Sequence, residues 1–259
     1  MDLFLSQFAK LFPEINLALG AGIMIFARFI GLMQFAPGFN RKEIPTIARL
    51  SFALIMTIIA TSVLKIPPVP SHTSIILCIV LNYLFGALIG YITNCVIATI
   101  TAGGDMINTQ MGMSSAMVMD PTSKAQTSIV GNLFTLLGVI IFIAIGGLYW
   151  LIDAFLRSFE IFSMYGISMP LEKVVNMDYL ILLTSNIFVV GMQIAAPVLL
   201  ATLGQDIILG TISKTAPQVN VFQMSFLFKP VMGALILTWI LPMLINVITE
   251  YISSFSNIF

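Results

Sequence analysis

Six long apolar runs dominate this chain, at residues 15–37, 44–64, 75–102, 129–152, 179–203 and 231–248. An α-helix rising about 1.5 Å per residue needs roughly twenty residues to cross a hydrocarbon core of about 30 Å, and each run is near or above that length. A soluble domain of 259 residues has no need for six such runs. Charged residues make up 8% of the chain, against about 25% in ordinary soluble domains. The expected fold class is an all-α membrane protein of about six long apolar helices.

So few charges make each one informative. Eleven basic and eleven acidic residues cancel, and no basic stripe exists, so nucleic acid is not an expected partner. Both cysteines, Cys78 and Cys95, fall in the third run. On one helix they lie about 25 Å apart, whereas a disulfide needs Cα atoms within about 7 Å; buried free thiols are expected. His72 stands alone in a proline-rich loop, so no metal or cofactor is expected. Lys10 is the only early positive charge, flanked by Asp2 and Glu14, and the apolar run that follows is too long for a signal peptide. The first run is therefore expected to be retained.

Punctuation between the runs predicts loops at residues 38–45, 65–73, 103–128, 153–178 and 204–230, with no room for a soluble domain. Ile152, Phe155, Leu156 and Phe159 share one helical face, and Asp153 and Arg157 pair at i,i+4 on another, which predicts an amphipathic extension of the fourth helix. Lys10, Lys65, Arg157 and Lys173 fall on one side of a six-span chain. Arg41, Lys42, Arg49, Lys124, Lys214 and Lys229 fall on the other, a slight bias toward cytoplasmic odd-numbered loops.

Several residues resist a lipid-facing reading. Arg28 sits mid-run, where exposure to lipid costs roughly 2.5–3.5 kcal/mol on insertion scales. It must face protein or water, either as a pathway residue or as a structural partner for a helix-end carbonyl or carboxylate. Asn82, Asn94, Asn132, Asn186 and Gln193 interrupt other runs, and Gly86 and Gly90 form a G-x-x-x-G that permits close helix approach. Pro197 and Pro242 are expected to kink the fifth and sixth helices. Together these features suit helices packed against protein on several sides.

The densest passage runs from residue 102 to residue 121. It places Met106, Met111, Met113, Met117 and Met119 within fourteen residues. Gly103 and Gly104 are expected to break the helix and Gly112 to give a second flexible point, while Asp120-Pro121 reads as a helix start. Unbranched, deformable methionine suits a seal that yields to a passing chain, and it is equally an ordinary apolar filler. No nucleophile elbow, zinc-helix motif, phosphate-binding loop or carboxylate cluster occurs, so an enzyme is not expected.

The stretch from Gly103-Gly104-Asp105-Met106 through Asn108-Thr109-Gln110-Met111-Gly112-Met113-Ser114 to Asp120-Pro121 resembles the central motif of the FliR family. These are flagellar biosynthesis proteins of the type III export apparatus, related to the SctT and SpaR-type subunits of injectisomes. Arg28, Gly31, Pro37, Pro45 and Arg49 resemble the family's N-terminal pattern. Ala195-Ala196-Pro197, Asp206, Gly210 and Ala216-Pro217-Gln218-Val219-Asn220-Val221-Phe222 resemble its C-terminal block. Lys214 stands where the family usually has Arg, and Gly146-Gly147 is closer to the injectisome style, whereas Met111-Gly112 resembles the flagellar branch, which is favoured.

The resemblance implies an export gate in the bacterial inner membrane, at the flagellar basal body. One copy joins FliP-type and FliQ-type subunits, with an FlhB-type subunit as a further partner and unfolded flagellar proteins as substrates. It implies bent helical hairpins that are not all true bilayer spans, because much of such an assembly is lifted out of the membrane plane. The chain would be one integral unit, residues 1–175 FliP-like and 176–259 a FliQ-like hairpin. Met106, Gln110, Met111, Gly112, Met113, Met117, Met119 and Asp120 would belong to a pore plug. Arg28, Asp105, Asp206 and Lys214 would be buried structural or pathway charges. Pro37, Pro45, Arg49, Pro121, Pro197, Pro217 and Asn220 are family-motif positions. A small-molecule or ion transporter is the rival class; it would require two similar halves and paired charges at a substrate site.

Overall fold

The computed structural model describes residues 13–39, 44–67, 74–113, 128–166 and 177–255, with side chains from residue 18 onward except at residue 179. Among these residues the secondary structure is helical: α1 (Pro13–Phe35), α2 (Thr46–Val63), α3 (Ile75–Gln110), α4 (Ile129–Ala144), α5 (Gly147–Ile161), α6 (Met177–Thr215) and α7 (Val221–Ser254). α1, α2, α3, α6 and α7 are each long and apolar enough to cross a membrane, and the pair α4 and α5 adds a sixth candidate if taken as one broken span.

Three helices are longer than the sequence pattern implied. α3 has 36 residues, α6 has 39 and α7 has 34. At about 1.5 Å per residue these measure roughly 54, 58 and 51 Å, well beyond a hydrocarbon core of about 30 Å. Gly103 and Gly104 do not break α3. They lie inside it, buried, where a missing side chain permits close approach. A Cβ on Gly103 would lie 3.0 Å from the Gly191 carbonyl oxygen, and one on Gly104 would lie 2.9 Å from Gly131 Cα. The packing contact outweighs a glycine penalty of about 1 kcal/mol. Likewise, the expected loop at 204–230 shrinks to the short turn between Thr215 and Val221, and α7 runs through both Pro230 and Pro242.

The fourth run, in contrast, is broken. Gly146 adopts φ +86°, a conformation that disfavours side-chain-bearing residues, and separates α4 from α5. α5 is the expected amphipathic segment. Phe155 and Phe159 are buried, Ile152 and Leu156 are half-buried, and Arg157 donates to Asp153 at 2.8 Å on the exposed side.

The chain forms two compact units: Met1–Asn94 with Leu148–Leu180, and Cys95–Gly147 with Ile181–Ile258. In the first, α1 packs on α2, and α1 meets α3 at backbone contact. A Cβ on Gly31 would strike the Tyr83 carbonyl oxygen, one on Gly86 the Arg28 carbonyl oxygen, and one on Gly90 the Leu32 carbonyl oxygen. The G-x-x-x-G of α3 is thus a helix-docking face. In the second unit, α7 packs on α4. Cys78 and Cys95 are buried, and neither is in a disulfide.

Candidate functional site

Two sites stand out, one in each unit. In the first unit, Arg28 on α1 has no exposure at all. Its Nε and one terminal nitrogen donate to Asn82 Oδ1 on α3, at 3.0 and 2.6 Å. Its other terminal nitrogen donates to Ser158 Oγ on α5 at 2.9 Å, and a further bond of 2.9 Å reaches the carbonyl of Phe162, just past the end of α5. The guanidinium lies 3.8 Å from the centre of the Phe159 ring. Such planar, weakly hydrated cations stack well on aromatic faces.

Asn82 is saturated in turn. Its amide nitrogen donates to the carbonyls of Cys78 at 2.8 Å and Met164 at 2.9 Å. Aromatic rings wall the site: Phe155 meets Phe159 edge-on at 5.3 Å, and Phe85 stacks on Phe162 at 4.1 Å. Each partner described is neutral, and one is a helix-end carbonyl, a group left unpaired by helix geometry itself. Nearby, the Tyr165 hydroxyl is buried without a partner among the described residues, and burial pushes its phenol above the ordinary value, with Cys78 adding to the rise.

In the second unit the Met-rich passage begins inside α3. Met106 and Gln110 are helical and half-buried. The helix stops at Gly112, whose φ of +73° closes it with paired bonds: Gly112 N–H to the Thr109 carbonyl at 3.0 Å, and Met113 N–H to the Asn108 carbonyl at 3.2 Å. This is the glycine-terminated end that orphan helix carbonyls require. Gly112 is thus a helix stop and not simply a flexible point. Met111 is buried, and a Cβ on Gly233 of α7 would lie 2.5 Å from its Cγ.

At the start of α4, Ser128 caps the helix by accepting from Gly131 N–H at 2.8 Å, and Asn108 Oδ1 accepts from Val130 N–H at 3.4 Å. An open hollow of about 490 Å³ lies here, lined by Gly112, Met113, Ile129, Phe226, Leu227 and Pro230, with Gln223. Met117, Met119, Asp120 and Pro121 lie outside the described residues, as does the expected helix start at Asp120-Pro121.

The remaining sequence-selected residues scatter. Asp105, Asp206 and Lys214 are not buried in the chain: Asp105 and Lys214 are exposed, and Asp206 is half-exposed. Asp105 nonetheless lies against α4, where a Cβ on Gly131 would strike its Oδ1. Asp206 on α6 accepts from Lys229 on α7 at 2.6 Å, an ion pair across the hairpin. Pro37 follows α1, and Pro45 precedes α2 at its N-cap. Arg49 donates to the Ile44 carbonyl at 3.1 Å. Pro197 lies inside α6, Pro217 lies in the turn after it, and Asn220 caps α7 by accepting from Gln223 N–H at 3.2 Å. Sequence reasoning missed Ser158, Phe159 and Phe162 as partners of Arg28. It also missed Asn220 as a cap, though a polar residue just ahead of an apolar run was the available signal.

Among the described residues no three His, Cys, Asp or Glu side chains cluster as metal ligands would. What the elements define is a polytopic helical membrane protein. The chain belongs to the bacterial export proteins, family 1, whose pattern it matches over residues 19–255. It is 28% identical over 206 residues to the flagellar biosynthetic protein FliR of Bacillus subtilis, covering 78% of each chain. It is 26% identical over 221 residues to the FliR of Escherichia coli K12, covering 84% of this chain and 82% of that one. It also matches the surface presentation of antigens protein SpaR of Shigella sonnei, 28% identical over 137 residues and about half of each chain.

Proposed function

We propose that this chain is a subunit of the flagellar type III export gate, through which unfolded flagellar proteins leave the cytoplasm. Its place is the inner membrane at the flagellar basal body, and its role is structural and conductive, not catalytic. One copy assembles with FliP-type and FliQ-type subunits and contacts an FlhB-type subunit. The observation that carries this reading is α6 and α7. Both exceed the bilayer's hydrocarbon thickness by about 20 Å or more, yet Leu200, Ile207, Phe222 and Leu227 remain exposed along them. Helices longer than the bilayer core with apolar surface still open along them fit a chain that packs against other subunits.

Within that gate, Arg28 is a structural anchor tying α1, α3 and α5 together. The passage from Met106 through Gln110, Met111, Gly112 and Met113, continuing to Met117, Met119 and Asp120, contributes to the pore plug. Met111 moors that passage at its α3 end. Asp105, Asp206 and Lys214 act at helix edges. Residues 1–175 correspond to the FliP-like part and 176–259 to the FliQ-like hairpin.

The SpaR match keeps an injectisome subunit as the second reading. Both are tested by removing the gene: secretion of flagellar proteins into the medium should stop and return on complementation, with any effector secretion unchanged. Unaltered flagellar export would reject the flagellar assignment. Deleting residues 110–119 should leave the complex assembled but leaky to small solutes.

A further inference from the structure

A third site, unused by the reading above, lies between the end of α1 and the start of α2. Its cavity of about 280 Å³ has a polar rim of Gln34, Thr46 and Arg49, and apolar walls including Ile30, Met33 and Leu50. The candidate spans Ala18–Phe35 and Thr46–Val63 both end at this rim, with Gln34 and Thr46 at their ends and Ile30 and Leu50 about one turn further in. Polarity therefore changes along the helix axes, from hydrogen-bonding groups at the ends of the spans to hydrocarbon within them.

The rim carries unused donors. Arg49 Nε is buried and bonds to nothing among the described residues, while its terminal nitrogen holds the Ile44 carbonyl. Gln34 accepts from the Tyr83 hydroxyl through its amide oxygen, which leaves its amide N–H groups for another partner. Pro45 gives α2 no side-chain cap. A buried guanidinium nitrogen without an acceptor is costly unless an acceptor arrives from outside the chain, and phosphate matches its fork geometry. The outer face of α2 continues the apolar wall: Ile47, Leu54, Ile55 and Ile58 are all exposed.

We propose that this cavity binds a membrane phospholipid, its headgroup phosphate held by Arg49, Gln34 and Thr46 and the start of an acyl chain laid against Ile30, Met33 and Leu50. The occupant is an amphiphile, because a free phosphate would satisfy the rim and leave the walls bare.

A photoreactive amino acid at position 50, in the full chain co-expressed with its partner subunits in native membranes, tests this. Illumination followed by mass spectrometry should give an adduct carrying intact glycerophospholipid mass. Arg49→Gln should reduce that adduct at least severalfold at equal protein level, Thr46→Val should reduce it less, and Arg49→Lys should retain part of it. If Arg49→Gln lowers the protein level, the Thr46→Val comparison and the parent adduct decide the matter. An adduct with a polypeptide would overturn the proposal in favour of a subunit contact. A lipid adduct indifferent to Arg49 and Thr46 would overturn the phosphate assignment, as would phosphate without acyl mass or no adduct at all. Because the readout is adduct chemistry and not secretion, it stands apart from the test of the export role.

Discussion

Half of the α1 window Ala18–Phe35 is buried within the chain, but only 17% of the apolar window of the same length in α7. The two helices look alike in composition. α1 finds its contacts at home: Ala21, Met24, Ile25 and Leu32 are all but inaccessible, and every guanidinium nitrogen of Arg28 is bonded. α7 leaves Phe222, Leu227, Leu235 and Trp239 open, with Trp239 86% exposed. In one region a buried polar network fixes a specific packing, and in the other the surface is unfinished. Apolar surface left open in this way belongs against lipid or against other subunits.

The largest effect is expected at Arg28. Arg28→Met would leave Asn82 Oδ1 and the Phe162 carbonyl without donors, at about 1–3 kcal/mol each, and would lose the stack on Phe159. A loss of roughly 3–5 kcal/mol is expected, read as a steep fall in the yield and melting temperature of the co-purified complex. Unchanged yield would mean that the network is not what holds α1, α3 and α5.

Glycines come next. Gly86→Ala puts a methyl group into the Arg28 backbone, which no rotamer can relieve; overpacking of about 1–3 kcal/mol should lower the level of the chain itself. Gly210 on α6 has open space around its Cα in the chain, so Gly210→Leu should leave the chain's own stability within about 1 kcal/mol or improve it. If the α6–α7 surface is a subunit contact, the same variant should reduce co-purification of the partners. Full assembly would place that face against lipid.

The smallest effect has the opposite sign. The Tyr165 hydroxyl is buried and has no partner among the described residues, so Tyr165→Phe should raise stability by about 1 kcal/mol, measured as an upward shift in melting temperature.

How much of this could be seen in the sequence differed between the regions for the same physical reason. The number of apolar segments, the need to hide Arg28, the Gly86 and Gly90 docking face and the Asp153–Arg157 pair all follow from local spacing and cost. The partners of Arg28 do not: Ser158 and Phe162 lie 130 and 134 residues away, and no periodicity links them to α1. Glycine and charge mislead as punctuation where they serve packing or pairing instead of ending a helix. Gly104 serves close packing on Gly131, and Asp206 and Lys229 pair across the α6–α7 hairpin, so α3, α6 and α7 run on past them. Gly146 and Gly112 do end helices, because there the backbone takes φ values that glycine alone adopts easily.

On the proposed function, other subunits finish the open surface of α6 and α7. This is tested most directly by native mass spectrometry of this chain expressed alone and together with FliP-type and FliQ-type subunits. Degraded or aggregated protein is expected in the first case, and in the second a hetero-oligomer containing one copy of the chain. A monodisperse, folded monomer in detergent, with no gain in yield or stability from the partners, would contradict that reading.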